Sequence, residues 1–180
     1  MPPEGFVYRR DFVTVDEERQ LVEQFERMDF REIVFRGQTA RRTVRHFGLE
    51  YAYDSGDLSP GDPLPDAMQW LRDRSAELME RDPDDLVEVL VSRYPPGAGI
   101  GWHRDAPTFG SKVAGVSLQA PCRMRFQRTV RGERQIAEAS LEPRSAYLLS
   151  GAARWSWQHS IPATKALRYS VTFRTLRRSR

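Results

Sequence analysis

The chain has very little cysteine and lysine, and it has no long apolar run. Cys122 is the only cysteine, so an intrachain disulfide and a zinc-ribbon site are both excluded, and a reducing, cytoplasmic location is expected. No segment approaches the roughly 20 apolar residues of a membrane span, so no membrane association is expected. The opening residues, Met1–Glu4, lack the basic and then apolar pattern of a signal peptide.

The positive charge is almost entirely arginine. Only Lys112 and Lys165 are lysine, so 26 of the 28 basic residues are arginine, which codon bias in a G- and C-rich genome also explains. The charge is uneven, because residues 91–180 carry 16 basic and 4 acidic side chains. A pI near 9.3 is compatible with a polyanionic partner, which would bind this second half of the chain. No obligate protein partner is evident.

Local patterns predict helices in the first half of the chain and short strands in the second. Thr14 and Glu17 have the spacing of a capping box at the start of an amphipathic helix, and a second helix is expected over roughly residues 66–80. Residues 31–53 are expected to be extended, with breaks at Gly37 and Gly48. After residue 86, short apolar strands alternate with Gly and Pro turns, which indicates an antiparallel sandwich or jelly roll.

One pair of residues has the spacing of metal ligands. His103 and Asp105 form an H-x-D triplet, whose side chains point the same way in an extended segment. A third ligand from a distant strand would complete a set of two histidines and one carboxylate. His159 is the candidate, since Trp155, Trp157 and His159 would share one face of a strand. The alternative is a histidine that belongs to the core.

The last strand carries two arginines on one face. In residues 167–174 the apolar side chains alternate with polar ones, which places Arg168 and Arg174 six residues, or about 20 Å, apart on the same face. Two inward-leaning guanidinium groups leave a gap that suits a small dicarboxylate. The alternative is the solvated face of an edge strand.

Taken together, these motifs resemble the AlkB family of non-haem iron dioxygenases, as found in its bacterial-type members. The resemblance covers about residues 87–176 and is carried by these segments in this order: Arg93–Gly97, Gly101–Asp105, Val116–Leu118, His159 and Arg168–Arg174.

The resemblance implies a fold, a set of cofactors and a reaction. The fold would be mainly β (α+β), a double-stranded β-helix of the jelly-roll or cupin-like kind, with N-terminal helices packed on it. Residues 1–180 would form one domain, with helices and a nucleotide-recognition lid in residues 1–86 and the catalytic core in residues 87–180. The cofactors would be Fe(II), 2-oxoglutarate as cosubstrate, and O2. The reaction would be oxidative demethylation of N-alkylated nucleobases in DNA or RNA, releasing formaldehyde, succinate and CO2.

The resemblance also implies the roles of individual residues. His103, Asp105 and His159 would be the iron ligands and catalytic centre. Arg168, helped by the Tyr94 hydroxyl, would bind the far carboxylate of 2-oxoglutarate, and Arg174 would lie near its keto-acid end. Ser92 and Ser170, which stand where Asn is expected, would still offer hydrogen bonds to the cosubstrate.

The substrate side depends on a basic and aromatic segment, residues 37–48, which resembles part of the family's lid. The candidate substrate contacts are Arg42, Arg45, His46, Trp102 and Trp155. Ala106-Pro107 stands where repair members often carry a carboxylate that favours cationic methylated bases, so the usual cationic lesion is in doubt.

Two other functions remain open at this point. One keeps the same cofactors but hydroxylates or demethylates a protein side chain or a small molecule. The other is a catalytically silent β-sandwich that binds nucleic acid through its arginines. The sequence does not fix the choice of DNA or RNA, the adduct, the preference for one strand or two, or the oligomeric state.

Overall fold

Two antiparallel sheets face each other in the computed structural model, which describes residues 1–178. The first sheet has eight strands: β1 (Phe6–Arg9), β2 (Arg31–Phe35), β3 (Gln38–Tyr51), β4 (Leu58–Pro60), β5 (Glu88–Tyr94), β7 (Phe109–Leu118), β10 (Ser145–Leu149) and β12 (Arg168–Leu176). The second has four: β6 (Ile100–His103), β8 (Cys122–Val130), β9 (Glu133–Leu141) and β11 (Gln158–Ile161). The spatial orders are β1-β10-β7-β12-β5-β3-β2, with β4 beside β3, and β6-β11-β8-β9.

The helices cover the outer face of the first sheet. Helix α1 (Val15–Phe25) begins with the expected capping box, in which Thr14 and Glu17 exchange hydrogen bonds. A single 3-10 turn (Asp66–Met68) leads into α2 (Gln69–Met79), and a second 3-10 turn (Pro83–Asp85) precedes β5. Both long helices pack on apolar side chains of β5, β7 and β12, as in the contact of Phe25 with Tyr169 at 5.2 Å between ring centroids. Burying this face stabilises the layered structure.

The opposite face of the first sheet looks across at the second sheet. Because side chains alternate along a strand, the even-numbered residues of β5 and β12 point into the space between the sheets. The space between the two sheets is polar at its centre and apolar toward one side, where Met124, Phe126 and Trp157 complete the core. The fold therefore directs a row of polar side chains into a narrow interior cavity.

The sequence interpretation of residues 155–159 was wrong. Residues Gly151–Trp155 form a short helix, α3, and the strand β11 begins only at Gln158. Trp155 therefore does not share a strand face with His159. The mainly β fold agrees with the expectation, and so does the break at Gly37, which has a positive φ of 75° in the turn between β2 and β3. The expected break at Gly48 does not interrupt the strand: Gly48 also has a positive φ of 75°, but β3 continues through it to Tyr51.

The first half of the chain also contributes strands to the first sheet. β1 pairs with β10, and β3 pairs with β5 over the register Thr43↔Arg93 to Gly48↔Glu88. No helix among residues 1–178 is long and apolar enough to cross a membrane.

Candidate active site

Backbone pairing brings the two candidate histidine ligands together. His103, at the end of β6, is the direct partner of His159 on β11, and their ring centroids lie 4.2 Å apart. Asp105 follows two residues later, and its Oδ2 atom stands 3.7 Å from His159 Nε2. Asp105 and His159 are almost fully buried. His159 therefore meets the His103 and Asp105 pair, more than 50 residues earlier in the chain, at one point in the cavity.

The protonation states suit metal ligands. Burial lowers the pKa of both histidines, to about 3 for His159, which keeps the imidazoles neutral. His103 Nδ1 lies 2.8 Å from the Gly101 carbonyl oxygen, so Nδ1 carries the proton and Nε2 keeps its lone pair. Burial alone would raise the pKa of Asp105, but the nearby Arg174 and the two histidines hold it below its usual range. Its carboxylate is therefore charged.

The donor types at this point suit a metal ion, although the side chains are not positioned to bind one as they stand. Among residues 1–178, no group of three or more His, Cys, Asp or Glu side chains is arranged so that it could hold a metal ion. Two ligand atoms about 2.1 Å from an ion and at right angles are about 3 Å apart. The 3.7 Å separation between Asp105 and His159 approaches that value, and two histidines with one carboxylate are a donor set typical of Fe(II) oxygenases.

The guanidinium of Arg174 bridges two carboxylates, those of Asp105 and Glu88, and so holds the Asp105 side chain in place. Its Nε and Nη2 atoms donate to Asp105 Oδ1, at 2.7 Å from Nε, and its Nη1 donates to both oxygens of Glu88 at 2.9 and 3.2 Å. Burial raises the pKa of Glu88, although Arg174 acts against this rise. Arg174 thus lies beside the candidate ligands, and it pairs there with Asp105 and with Glu88.

Arg154 holds the main chain of the same segment. This arginine is 2% exposed, and its guanidinium donates to the carbonyl oxygens of residues 105, 106, 109 and 110 at 2.9 to 3.2 Å. It belongs to α3 and lies four residues before Gln158, the first residue of β11. Arg154 therefore connects the segment after H-x-D with the segment that leads to His159.

The other end of the cavity has an arginine with an unused donor. Arg168 is 1% exposed, its Nε donates to Ser117 Oγ at 3.0 Å, and its guanidinium carbon lies 4.9 Å from the centre of the Tyr94 ring. Its Nη1 has no partner among the described residues. Ser92 and Ser170 are direct register partners on the same cavity wall. This end has the cation and the donors that a buried carboxylate group of a cosubstrate requires.

The structure separates the candidate substrate contacts. Arg42 lines the cavity beside Ser92, and His46 lies on the same face of β3, against Tyr53. Arg45 lies on the opposite face of β3, where it pairs with Asp62 at 2.6 Å.

The two tryptophans also lie outside the cavity. Trp102 follows the alternation of β6 away from His103, and Arg125 stacks on it. Trp155 lines a separate surface groove with Gly110 and Leu176, between Arg154 and Arg177. Of the five candidates, Arg42 lines the cavity and His46 is near it.

Sequence reasoning missed Glu88, Arg154 and Ser117. A signal existed for Glu88, because a lone carboxylate interrupts the apolar run of residues 86–91. Nothing in the local sequence distinguishes Arg154 from the other arginines. Tyr147, also missed, has its ring against Gly115, where a side chain would collide with it.

The fold and this site define the class: a double-stranded β-helix protein in whose cavity two histidines and one aspartate meet, which are the donor types typical of non-haem Fe(II) oxygenases. A family model described as the 2OG-Fe(II) oxygenase superfamily matches residues 5–174, and the chain belongs to this superfamily. It is accordingly a dioxygenase that uses Fe(II), 2-oxoglutarate and O2.

Relatives indicate the AlkB-like branch. The chain is 32% identical to the alkylated DNA repair protein ALKBH8 homolog of Arabidopsis thaliana, covering 89% of this chain and 51% of the relative. It is 28% identical to the tRNA (carboxymethyluridine(34)-5-O)-methyltransferase alkbh8 of Xenopus tropicalis, covering 91% and 26%. The chain thus spans about a quarter to a half of these curated relatives.

Solved structures show the same fold. The structure of OsALKBH1 superposes with a TM-score of 0.73 at 15% identity, covering 97% of this chain and 98% of that one. A prolyl-4-hydroxylase of Pseudomonas putida superposes with a TM-score of 0.67 at 16% identity, covering 96% and 93%. The expected AlkB-like double-stranded β-helix is confirmed.

Proposed function

We propose that this chain removes N-linked alkyl groups from nucleobases in DNA or RNA by oxidation, with release of formaldehyde, succinate and CO2. The meeting of His103, Asp105 and His159 beside an arginine with an unused donor is the observation that carries this proposal. We further propose that residues 1–180 act as one domain in the cytoplasm.

In this proposal the two histidines and Asp105 hold Fe(II). His103 binds through Nε2, since its Nδ1 is engaged by the Gly101 carbonyl oxygen. Arg174 keeps Asp105 charged and oriented, and it borders the keto-acid end of the cosubstrate. When bound, the iron would activate O2 as the oxidant with 2-oxoglutarate as co-reductant, while the protein supplies position, charge and exclusion of water.

Arg168 binds the far carboxylate of 2-oxoglutarate in this proposal. Its Nε is fixed by Ser117, which aims the remaining N–H groups of the guanidinium into the cavity. Tyr94 flanks the same group, and Ser92 and Ser170 offer hydroxyl groups between the two ends. A bidentate carboxylate pair at a buried arginine is a strong and geometrically selective contact.

A nucleic-acid substrate is supported by relatives and by charge. The names of two relatives refer to alkylated DNA and to tRNA. On the hairpin of β8 and β9, Arg125 stacks on Trp102 and Arg128 stacks on Trp157, a combination of cations and aromatic rings suited to a phosphate backbone. We propose that this hairpin and the lid formed by β2 and β3 flank the bound strand.

Oxidation of a protein side chain or a small molecule is the second candidate function. It is favoured by Ala106-Pro107, because the segment after H-x-D offers no carboxylate to a cationic methylated base.

A panel of modified nucleic acids tests the proposal. The protein is incubated with Fe(II), 2-oxoglutarate and O2 on methylated single- and double-stranded DNA and on methylated RNA. We expect formaldehyde and the unmodified base, measured by mass spectrometry, from the wild type and neither from His103→Ala. Succinate formation without reversion of any base would contradict the proposal and favour the second candidate.

A further inference from the structure

Arg42 is a buried cation at the wall of the active-site cavity. It is 6% exposed, and β3 directs it toward Ser92 and Tyr94 of β5. Its Nη1 donates to Ser92 Oγ at 3.1 Å, and its guanidinium carbon lies 5.9 Å from the centre of the Tyr94 ring. Arg42 lines the same cavity as His103, Asp105 and His159.

This cation has no carboxylate partner in the described residues. No ion pair joins Arg42 to an acidic side chain, and its buried Nε has no hydrogen-bond acceptor. The two carboxylates at this end of the cavity are those of Asp105 and Glu88, and Arg174 pairs with both of them. A buried guanidinium with an unused donor is costly unless a ligand supplies the missing acceptor.

The charges of the side chains that line the cavity also single out Arg42 as the cation without a matching negative charge. Three arginines (Arg42, Arg168 and Arg174) line the cavity, and the two carboxylates at this end, Asp105 and Glu88, both pair with Arg174. Fe(II) and the two carboxylates of 2-oxoglutarate cancel each other. The positive charge that remains after both have bound is that of Arg42.

We propose that Arg42 receives an oxyanion of the substrate, so that the site selects a nucleotide with a carboxylate on its base or a phosphate at this position. The inference rests on the proposed function and extends it to the substrate's charge. It agrees with Ala106-Pro107 in the H-x-D segment, where no acid is present to attract a cationic base. The selectivity of the site is thus opposite in sign to that for a cationic lesion.

Binding of three nucleosides to the anaerobic protein loaded with Fe(II) and saturating 2-oxoglutarate tests this proposal. The probes are uridine, uridine 5′-monophosphate and 5-carboxymethyluridine, and dissociation constants are measured by calorimetry. We expect at least one of the two anionic probes to bind about 10- to 100-fold more tightly than uridine, as one charge-assisted hydrogen-bonded pair provides. The probe that gains the affinity identifies the source of the anion.

Variants of Arg42 and Arg45, which lie on opposite faces of β3, test whether the preference for an anion depends on Arg42. Arg42→Gln is expected to abolish the preference for an anion, and Arg42→Lys is expected to keep part of it. Arg45→Gln, on the opposite face of the same strand, is the matched control and is expected to keep the preference. Saturation with 2-oxoglutarate is expected to be the same in all four proteins.

Three outcomes would overturn the proposal: equal affinity for all probes, a preference that survives in Arg42→Gln, or a weakened requirement for 2-oxoglutarate in that variant. The last outcome would assign Arg42 to the cosubstrate. Because these measurements require no turnover, they separate this proposal from the proposed function. The proposed function fails instead if no alkylated nucleic acid loses its alkyl group.

Discussion

Arg168→Lys is expected to weaken 2-oxoglutarate binding strongly while leaving iron binding intact. The arginine combines three features: an Nε fixed by Ser117 at 3.0 Å, an unused Nη1, and a guanidinium carbon 4.9 Å from the centre of the Tyr94 ring. Lysine keeps the charge but loses the planar fork and the hydrogen bond that orients it.

The magnitude follows from the contacts that are lost. A hydrogen bond to a charged group contributes about 1.5 to 3 kcal/mol, and the bidentate pair loses one such bond in the variant. Some of the stacking on Tyr94 is lost as well. A total of about 2 to 3 kcal/mol corresponds to an increase of about 30- to 140-fold in the dissociation constant.

The assay is an anaerobic titration of 2-oxoglutarate into the iron-loaded protein, with the 2-oxoglutarate dependence of succinate formation as a second measurement. Arg93→Lys is the matched control, because Arg93 lies on the neighbouring strand and on the opposite face of the sheet. An unchanged saturation curve for Arg168→Lys, or an equal weakening in the control, would refute the assignment of Arg168.

Three further predictions concern the scaffold. Glu17→Gln is expected to lower the free energy of unfolding by about 1 kcal/mol in urea titrations at pH 7, because glutamine can still accept the capping hydrogen bond of Thr14 but loses the charge of the ion pair with Arg74 of α2. The side-chain hydrogen bond from Arg74 is the main cause of the low pKa of Glu17, so this difference should be present above pH 5 and vanish as the pH falls through the lowered pKa; a pH-independent difference would contradict it. Gly115→Ala is expected to cost about 1 to 3 kcal/mol in the same assay, because its methyl group would meet the Tyr147 ring; unchanged stability would show that the ring moves freely. Arg154→Lys is expected to weaken Fe(II) binding more than 2-oxoglutarate binding, because it releases the main chain around Asp105, and equal weakening of both would indicate general misfolding.

Local sequence patterns predicted the features that depend on neighbours in the chain. The capping box at Thr14 works through residues three apart, and the alternation of the last strand places Arg168 and Arg174 on one face regardless of the rest of the fold. The same alternation did not reveal whether that strand is at the edge or the centre. The structure answers this, because β12 lies between β7 and β5 and both arginines are largely buried.

Features that depend on distant residues were not accessible from the pattern. The Trp155 prediction was wrong because Trp155, Trp157 and His159 have the period of a strand, yet α3 ends at the first of them. The partnership of Arg174 with Glu88 joins residues 86 positions apart. Arg154 is held by carbonyl oxygens, which every residue has, so no side-chain motif could have identified it.

Anaerobic binding of iron and 2-oxoglutarate tests the central claim most directly, namely that His103, Asp105 and His159 hold the metal beside the cosubstrate. The account predicts a charge-transfer absorption that requires both Fe(II) and 2-oxoglutarate, is lost in His103→Ala, and is retained in His46→Ala, the variant of the third histidine. No absorption in the wild type, or an unchanged absorption in His103→Ala, would contradict it.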